Sequence, residues 1–125
     1  MNARETLESY GELVHKLDSF QHELALCLCH AAKEPQALER WQRRMKALKA
    51  DIRKHRRLCQ RRSVEIEQLL MKMPDETMRK VLALRYLSLL SHAEISEVLH
   101  FSLRHVYRIH RQAAERLQAI MTPPG

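Results

Sequence analysis

The sequence predicts an all-α protein, and three observations support this fold class. Only two of the 125 residues are Gly and four are Pro, which leaves few turn residues for the many hairpins of a β-sandwich or barrel. Charged residues make up 30%, and Leu, Ala, Glu, Lys and Arg dominate, as in long helices. Apolar residues also recur at alternating steps of three and four, the helical period.

Two long heptad patterns predict an N-terminal antiparallel helical hairpin, similar to a coiled coil. We expect helices over residues 3–32 and 35–73, because Pro35 suits the first turn of a helix and disfavours helix in the residue before it. The predicted seams consist of Leu7, Tyr10, Val14, Leu17, Gln21, Leu24, Leu28 and Ala31, and of Leu38, Trp41, Met45, Leu48, Ile52, His55, Cys59, Arg62, Ile66, Leu69 and Met73.

Helix lengths place residue 3 beside about residue 64, so the second helix continues beyond its partner. We therefore predict a hairpin domain over residues 1–63 that serves assembly, and a second domain over residues 64–121. The second helix runs continuously across this boundary, and residues 122–125 form a disordered tail.

The positive charge is concentrated in the second helix. The chain carries a net +7, of which residues 35–62 carry +9 and residues 1–34 carry −3. Most acids of the first helix fall at outward heptad positions, so we expect the positive charge to face solvent. This face is either an ordinary solvated surface or a non-specific surface for polyanions or an acidic partner; its proposed members are Arg53, Lys54, Arg57 and Arg61.

The first helix has an apolar stripe wider than one partner helix covers. Leu13, Phe20 and Cys27 lie seven residues apart beside the main seam. We expect them to mediate assembly, with a second copy completing a four-helix bundle in a homodimer. Docking of the C-terminal domain onto the hairpin would also cover them.

The three cysteines do not predict a disulfide framework or a metal centre. No export signal or membrane span is evident, so we expect a cytoplasmic protein with free thiols. Cys27, Cys29 and His30, with Cys59 and His55, invite a metal-site interpretation. However, Cys27 and Cys29 on one helix point about 200° apart. We predict no metal and no cofactor.

The C-terminal half has the signals of a helix-turn-helix. Asp75 is a candidate N-cap for a helix through VLALRYLSLL, and Ser91 with Glu94 forms a capping box for a short helix. Ser102 caps a last helix from residue 103 to about residue 120. The positions that must point inward to lock such helices are apolar: Ile95, Leu99, Phe101, Val106 and Ile109.

The stretch VLALRYLSLLSHAEISEVLHFSLRHVYRIHRQAAERL resembles region 4 of bacterial sigma factors. It is similar, more closely, to the sigma-like domain of small phage and prophage transcription regulators of Gram-positive bacteria. The resemblance covers residues 70–117. Leu89 and His100 depart from it where the family usually has Gly, and His92 where an aromatic residue is common.

The resemblance implies double-stranded DNA as partner, with RNA polymerase as a further one, and the last helix supports this. Its outward face would read bases in a major groove, where Arg forks onto guanine and apolar side chains contact thymine methyls. The predicted base-reading residues are Leu103, Arg104, Tyr107, Arg108 and Arg111. The predicted phosphate contacts are Arg85, Ser91, Ser102 and His105.

Catalysis has little support in the sequence. Ser102, His105 and His110 suggest a nucleophile with a base, and Glu94 with Glu97 suggests paired carboxylates. Ser102 and Glu94 are already assigned to helix caps, and motifs for phosphate loops or zinc sites are missing. We therefore expect no enzyme and no small-molecule substrate.

The sequence thus predicts a sequence-specific DNA-binding transcription regulator of phage type, acting as an activator or RNA polymerase adapter. We do not expect a complete sigma factor, because 125 residues leave no room for the promoter-melting regions. The alternative is a phage structural or packaging protein, or a polymerase-binding protein, whose helix-turn-helix mediates protein contacts or non-specific DNA binding.

Overall fold

The computed structural model describes residues 2–122, and all regular secondary structure in this range is helical, which confirms the all-α prediction. No helix in this part of the chain is both long and apolar enough to cross a bilayer. Apart from Thr122, the predicted tail of 122–125 lies outside the described residues. The helices are α1 (Ala3–Lys33), α2 (Leu38–Leu70), α3 (Glu76–Tyr86), α4 (His92–Leu99) and α5 (Leu103–Met121), with a 3-10 turn at Pro35–Ala37.

The predicted bounds hold for α1 but are too wide for α2. Pro35 opens the 3-10 turn, and Glu34 before it lies outside the helical region at φ −124° and ψ 71°, in agreement with the clash between a proline ring and a helical preceding residue. At the other end the helical ladder gives way to tighter hydrogen bonds, from the N–H of Lys72 to the carbonyl of Leu69 at 3.1 Å and from Met73 to Leu70 at 3.0 Å. The helix therefore stops before Pro74.

The chain divides into two compact units whose limits differ from the predicted domains. The larger unit comprises Met1–Gly11 and Arg62–Gly125, and the hairpin unit comprises Glu12–Arg61. Residues 2–11, which the sequence assigned to the hairpin domain, group here with the C-terminal helices. The physical reason is burial, because Ala3 and Leu7 share one apolar cluster with residues of α5.

Two apolar clusters form the core of the larger unit. The first brings α1, α2, α3 and α5 together, and its buried members are Ala3, Leu7, Ile66, Leu70, Met73, Leu82, Ala113 and Leu117. The second joins α3, α4 and α5 through Val81, Ile95, Val106 and Ile109. Helix α5 contributes two residues to each cluster, so one side of it is buried over its length.

Polar contacts and a close approach also tie the start of α1 into the larger unit. The Ala3 N–H donates to Gln118 Oε1 at 2.7 Å, and Arg62 Nη1 donates to Ser9 Oγ at 2.6 Å. A Cβ at Gly11 would lie 3.4 Å from Leu89 Cδ2. Leu89 itself has a φ of 59°, a backbone conformation that costs a leucine roughly 1 kcal/mol or more.

In the hairpin unit α1 and α2 run antiparallel, as predicted. Phe20 packs edge-on against His55, and the rings of His30 and Trp41 stack, with centroids 4.9 Å apart in both pairs. Arg44 and Glu23 form an ion pair across the two helices. Residues of α1 therefore meet residues of α2 in reverse order along the hairpin.

The seam of α1 shifts toward its end, which changes the predicted assembly surface. Leu28, predicted inside the seam, is 55% exposed, whereas Cys27 is 4% exposed. A straight helix drifts by about 20° per heptad relative to a strict seven-residue repeat, which brings the neighbouring stripe into the interface. Cys27 is therefore buried, Phe20 contacts the same chain, and Leu13 is half-buried, so the three do not form the free apolar surface that we expected.

Replacing Leu7 by Ala should lower the free energy of unfolding by about 2 to 5 kcal/mol, the usual effect of truncating a fully buried leucine. The reason is that Leu7 is 1% exposed in the core of the larger unit. Urea denaturation followed by circular dichroism measures the change. Leu28→Ala in the same helix is the control and should change stability by no more than about 0.5 kcal/mol; equal effects would contradict the packing of residues 1–11 with the C-terminal helices.

Candidate nucleic-acid interface

Three local devices shape the connection between α4 and α5. Ser91 Oγ accepts the Glu94 N–H at 3.1 Å, and the Glu94 side chain accepts the Ser91 N–H at 3.1 Å, so the predicted capping box is present. His100 ends α4 in the left-handed region at φ 58° and ψ 37°, where we expected a conformation that glycine usually supplies. Ser102 Oγ then accepts the His105 N–H at 3.1 Å and starts α5.

Ser96 adds a hydrogen bond that the sequence did not indicate. Its hydroxyl donates to the carbonyl of Phe101 at 2.5 Å, while the Phe101 N–H donates to the carbonyl of Ser96 at 3.1 Å. These two hydrogen bonds join Ser96 to Phe101 and so close the turn that contains His100. The small side chain therefore helps to fix the angle between α4 and α5 as well as allowing their approach.

The predicted inward residues do point inward. Ile95, Val106 and Ile109 are buried together with Val81 of α3. Leu99 and Phe101 are half-buried and pack against the same cluster. Because α5 buries this side, the opposite side is left to face solvent.

The five predicted base-reading residues lie together on this exposed side, which we call the reading face. Leu103 is 43% exposed and Tyr107 is 53% exposed. The three arginines Arg104, Arg108 and Arg111 are exposed as well. Four of the five, all but Leu103, line one shallow concavity of the surface together with Ser102 and His105. The reading face thus presents two apolar side chains among three cations.

One of these arginines is held by a neighbour and the other two are free. Arg108 Nη2 donates to Nδ1 of His105 at 2.6 Å, and the His105 ring packs edge-on against Phe101. Within residues 2–122, Arg104 and Arg111 have no ion pair or hydrogen bond from their side chains. Their guanidinium groups are therefore available for an external acceptor.

The predicted phosphate contacts divide into two kinds. Ser91 and Ser102 are exposed at helix N-termini, and each hydroxyl that accepts a capping bond still has its own hydrogen to donate. His105 is half-buried and accepts from Arg108. Arg85 also makes contacts within the chain: its Nη1 donates to the Leu90 carbonyl at 3.2 Å, and its guanidinium lies over the Tyr86 ring. Arg85 therefore stabilises the turn between α3 and α4.

Sequence reasoning did not identify a cluster of aromatic and imidazole rings that adjoins the reading face and shares Tyr107 with it. This histidine cluster consists of Tyr86, His92, Tyr107 and His110. His92 stacks on Tyr107 at 4.4 Å and meets His110 edge-on at 4.8 Å. The Tyr86 hydroxyl and His110 Nε2 are hydrogen-bonded at 2.6 Å. Helical periodicity would have placed His110 near the buried side of α5, but it could not have identified the residues that contact His110.

The cluster favours neutral imidazoles. Burial is the main cause that lowers the pKa of His110, and His92, Arg85 and Arg4 lower it further. Burial also lowers the pKa of His92, with Arg85 as the second cause. Nε2 of a neutral His110 can accept the Tyr86 hydroxyl hydrogen, and His92 Nε2 is buried without a partner. The lowered pKa of His92 thus favours the neutral form of the ring that links α4 to Tyr107 of the reading face.

The remaining predicted residues belong to the hairpin unit. Arg53, Lys54, Arg57 and Arg61 are all exposed along α2. Cys27 and Cys59 are buried, Cys29 is exposed and all three are free. No group of three or more His, Cys, Asp or Glu residues within the described range is arranged to hold a metal ion.

The geometry of α3, α4 and α5 defines a helix-turn-helix domain, in which the second helix of the motif presents an exposed, basic side. Residues 70–119 match the family model for sigma-70, region 4. This match covers the C-terminal part of the chain and agrees with the resemblance to region 4 of sigma factors that the sequence indicated. Comparison with curated proteins and with solved structures gives no match.

The histidine cluster should make stability depend on pH. His92 and His110 have a lowered pKa in the folded protein, so the unfolded chain binds more protons below about pH 6.5, the ordinary histidine value. Their contribution is complete above that pH and is lost as the pH falls through the folded pKa. Urea unfolding at pH 8 and pH 5.5 measures this loss.

The double variant His92→Gln, His110→Gln is the comparison, because a glutamine side chain does not titrate yet still offers an acceptor to the Tyr86 hydroxyl. It should lose less stability between the two pH values than the unmodified protein. An equal loss in both proteins would contradict the role of the cluster. The control is the single variant His22→Gln, which removes an exposed histidine outside the cluster. Its loss of stability between the two pH values should equal that of the unmodified protein.

Proposed function

We propose that the protein is a sequence-specific transcription regulator that reads DNA with α5. The observation that carries the proposal is the reading face: two apolar side chains and three arginines, exposed on one side of a helix that is fixed by burial of its other side. In a helix-turn-helix this side of the second helix enters the major groove. There, Arg can bond to O6 and N7 of guanine, and Leu or Tyr can contact a thymine methyl.

The helix ends beside the reading face suit phosphates. The N-termini of α4 and α5 begin at Ser91 and Ser102, and helix N-termini attract anions through their free N–H groups and dipole. Contacts of this kind would set the position of the protein on the duplex, while Arg104, Arg108 and Arg111 select bases. Arg108 would approach in an orientation already restricted by His105.

The proposed biological role is that of an activator or RNA polymerase adapter in the cytoplasm of a bacterium or of a phage-infected host. The match to sigma-70, region 4 supports a role beside RNA polymerase, since this family is transcription-related. The proposed action is binding without catalysis. Selection of bound sequences from random duplex DNA tests it, and failure to enrich any motif would favour the alternative of protein contacts or non-specific DNA binding.

Replacing Arg104 by Ala should weaken binding to the selected sequence by about 1 to 3 kcal/mol and relax the choice of base at one position. The free guanidinium of Arg104 is the reason. Titration of the selected duplex, of its single-base variants and of random duplex measures both effects. Arg116→Ala is the matched control, since Arg116 is an exposed arginine of α5 outside the reading face. An equal loss on selected and random duplex for Arg104→Ala would contradict base reading.

The predicted homodimer remains a proposal with a direct test. The chain has a mass of 14.8 kDa, and light scattering of the protein at micromolar concentration should give twice this value. A measured mass equal to that of one chain would contradict the predicted homodimer. The four-helix arrangement has less support than the sequence indicated, because Phe20 and Cys27 pack within their own hairpin.

A further inference from the structure

A row of six cations follows the solvent side of α2 in the hairpin unit. This basic row consists of Arg43, Lys46, Arg53, Lys54, Arg57 and Arg61, all exposed. Their spacings of three, four and seven residues, with Lys54 beside Arg53, keep them on one face of the helix. The face lies nearly opposite Leu48, Ile52 and Cys59, which are buried.

The charges of the basic row are not neutralised within the described part of the hairpin unit. In this unit α2 forms two ion pairs among the described residues, Arg40 with Glu34 and Arg44 with Glu23. Arg40 and Arg44 lie beside the basic row and do not belong to it. No member of the row has an ion pair or a side-chain hydrogen bond within the described residues. Glu39 lies on the same face of α2, one helical turn before Arg43. Six cations therefore face water without internal partners.

The side chains between the cations indicate what kind of partner the row fits. Ala47, Ala50 and Gln60 separate them, and no exposed large hydrophobic residue of α2 lies between Leu38 and Val64. Protein interfaces usually contain aromatic or aliphatic anchors in a desolvated centre, and a membrane-bound helix needs an apolar face. A cationic face without apolar anchors instead suits a polyanion whose charges stay hydrated, as nucleic-acid phosphates do.

The dimensions of the row also suit a duplex. Residues 43 to 61 span about 27 Å at 1.5 Å per residue, which is less than one turn of B-DNA at about 34 Å. A straight row of this length can follow phosphates along one side of a duplex without entering a groove. The row lies in the hairpin unit and not on the second helix of the helix-turn-helix, the element that enters the major groove to read bases.

We propose that the basic row is a second DNA-binding surface, which contacts the phosphate backbone of a duplex without reading its sequence. This inference rests on the proposed function, because it assumes that DNA is the partner of the chain. The row supplies affinity for any duplex, and the reading face supplies the preference for one site. The two surfaces lie in different compact units, so their contributions can be removed separately.

The test is the salt dependence of binding to random-sequence duplex. The quadruple variant Arg53→Gln, Lys54→Gln, Arg57→Gln, Arg61→Gln keeps good helix formers at exposed positions. Each phosphate neutralised by a cation contributes about 0.9 to the slope of log affinity against log salt, so removal of four cations should reduce the slope by about 3.6. Between 50 and 200 mM salt the unmodified protein should therefore lose about 10²-fold more affinity than the variant.

The matched control removes the same charge from the flanks of the same helix. It carries Arg40→Gln, Arg44→Gln, Lys49→Gln and Arg56→Gln, and its slope should change by less than about 1. Circular dichroism of both quadruple variants checks that helicity is retained. An unchanged slope for the row variant would overturn the proposal, and so would an equal change in both variants, since that would indicate net charge alone.

The same titrations separate this proposal from the proposed function. The ratio of affinities for selected and random duplex depends on the reading face, so it should stay constant in the row variant and fall in Arg104→Ala. A constant ratio in Arg104→Ala with a reduced slope in the row variant would refute base reading and support the row. Binding of poly-L-glutamate to the row, with an unchanged slope on duplex, would indicate an acidic protein partner and overturn the proposal.

Discussion

Burial of one side of α5 is the constraint on which the larger unit depends. Val106 and Ile109 pack with α3 and α4, and Ala113 with Leu117 packs with α1, α2 and α3. All four are close to fully buried. A helix that is buried so continuously on one side has its rotation about its own axis fixed, and that rotation decides which residues form the reading face. Packing thus determines the chemistry that this surface offers.

The two helices of the motif are joined by a short turn with polar helix caps and a defined backbone conformation. Serine caps start α4 and α5, and His100 takes the left-handed conformation between them. The Ser96 hydroxyl secures the carbonyl of Phe101. His92 and His110 also connect α3, α4 and the reading face, through ring contacts and the hydrogen bond to Tyr86. The turn and the histidine cluster therefore both help to fix the angle between α4 and α5.

Local signals allowed most element boundaries to be predicted, and long-range packing accounts for what was missed. Asp75, Ser91 and Ser102 cap helices as expected, because a cap depends on residues only two or three positions away. Residues 1–11 were assigned to the hairpin alone, since their contact with α5 joins residues more than a hundred positions apart. The histidine cluster also went unnoticed, because its ring contacts join residues of α3, α4 and α5. They depend on the angle between helices, which periodicity does not encode.

The hydrogen bond from Ala3 to Gln118 has a consequence for synthesis on the ribosome. The two residues are separated by 115 positions, so residues 2–11 must wait for residues made much later before the larger unit can close. The hairpin, whose pairs are nearer in sequence, can form while translation continues. Until α5 emerges, Leu7 and its apolar neighbours remain exposed to solvent. The nascent chain then has a folded hairpin, while the core of the larger unit has not yet formed.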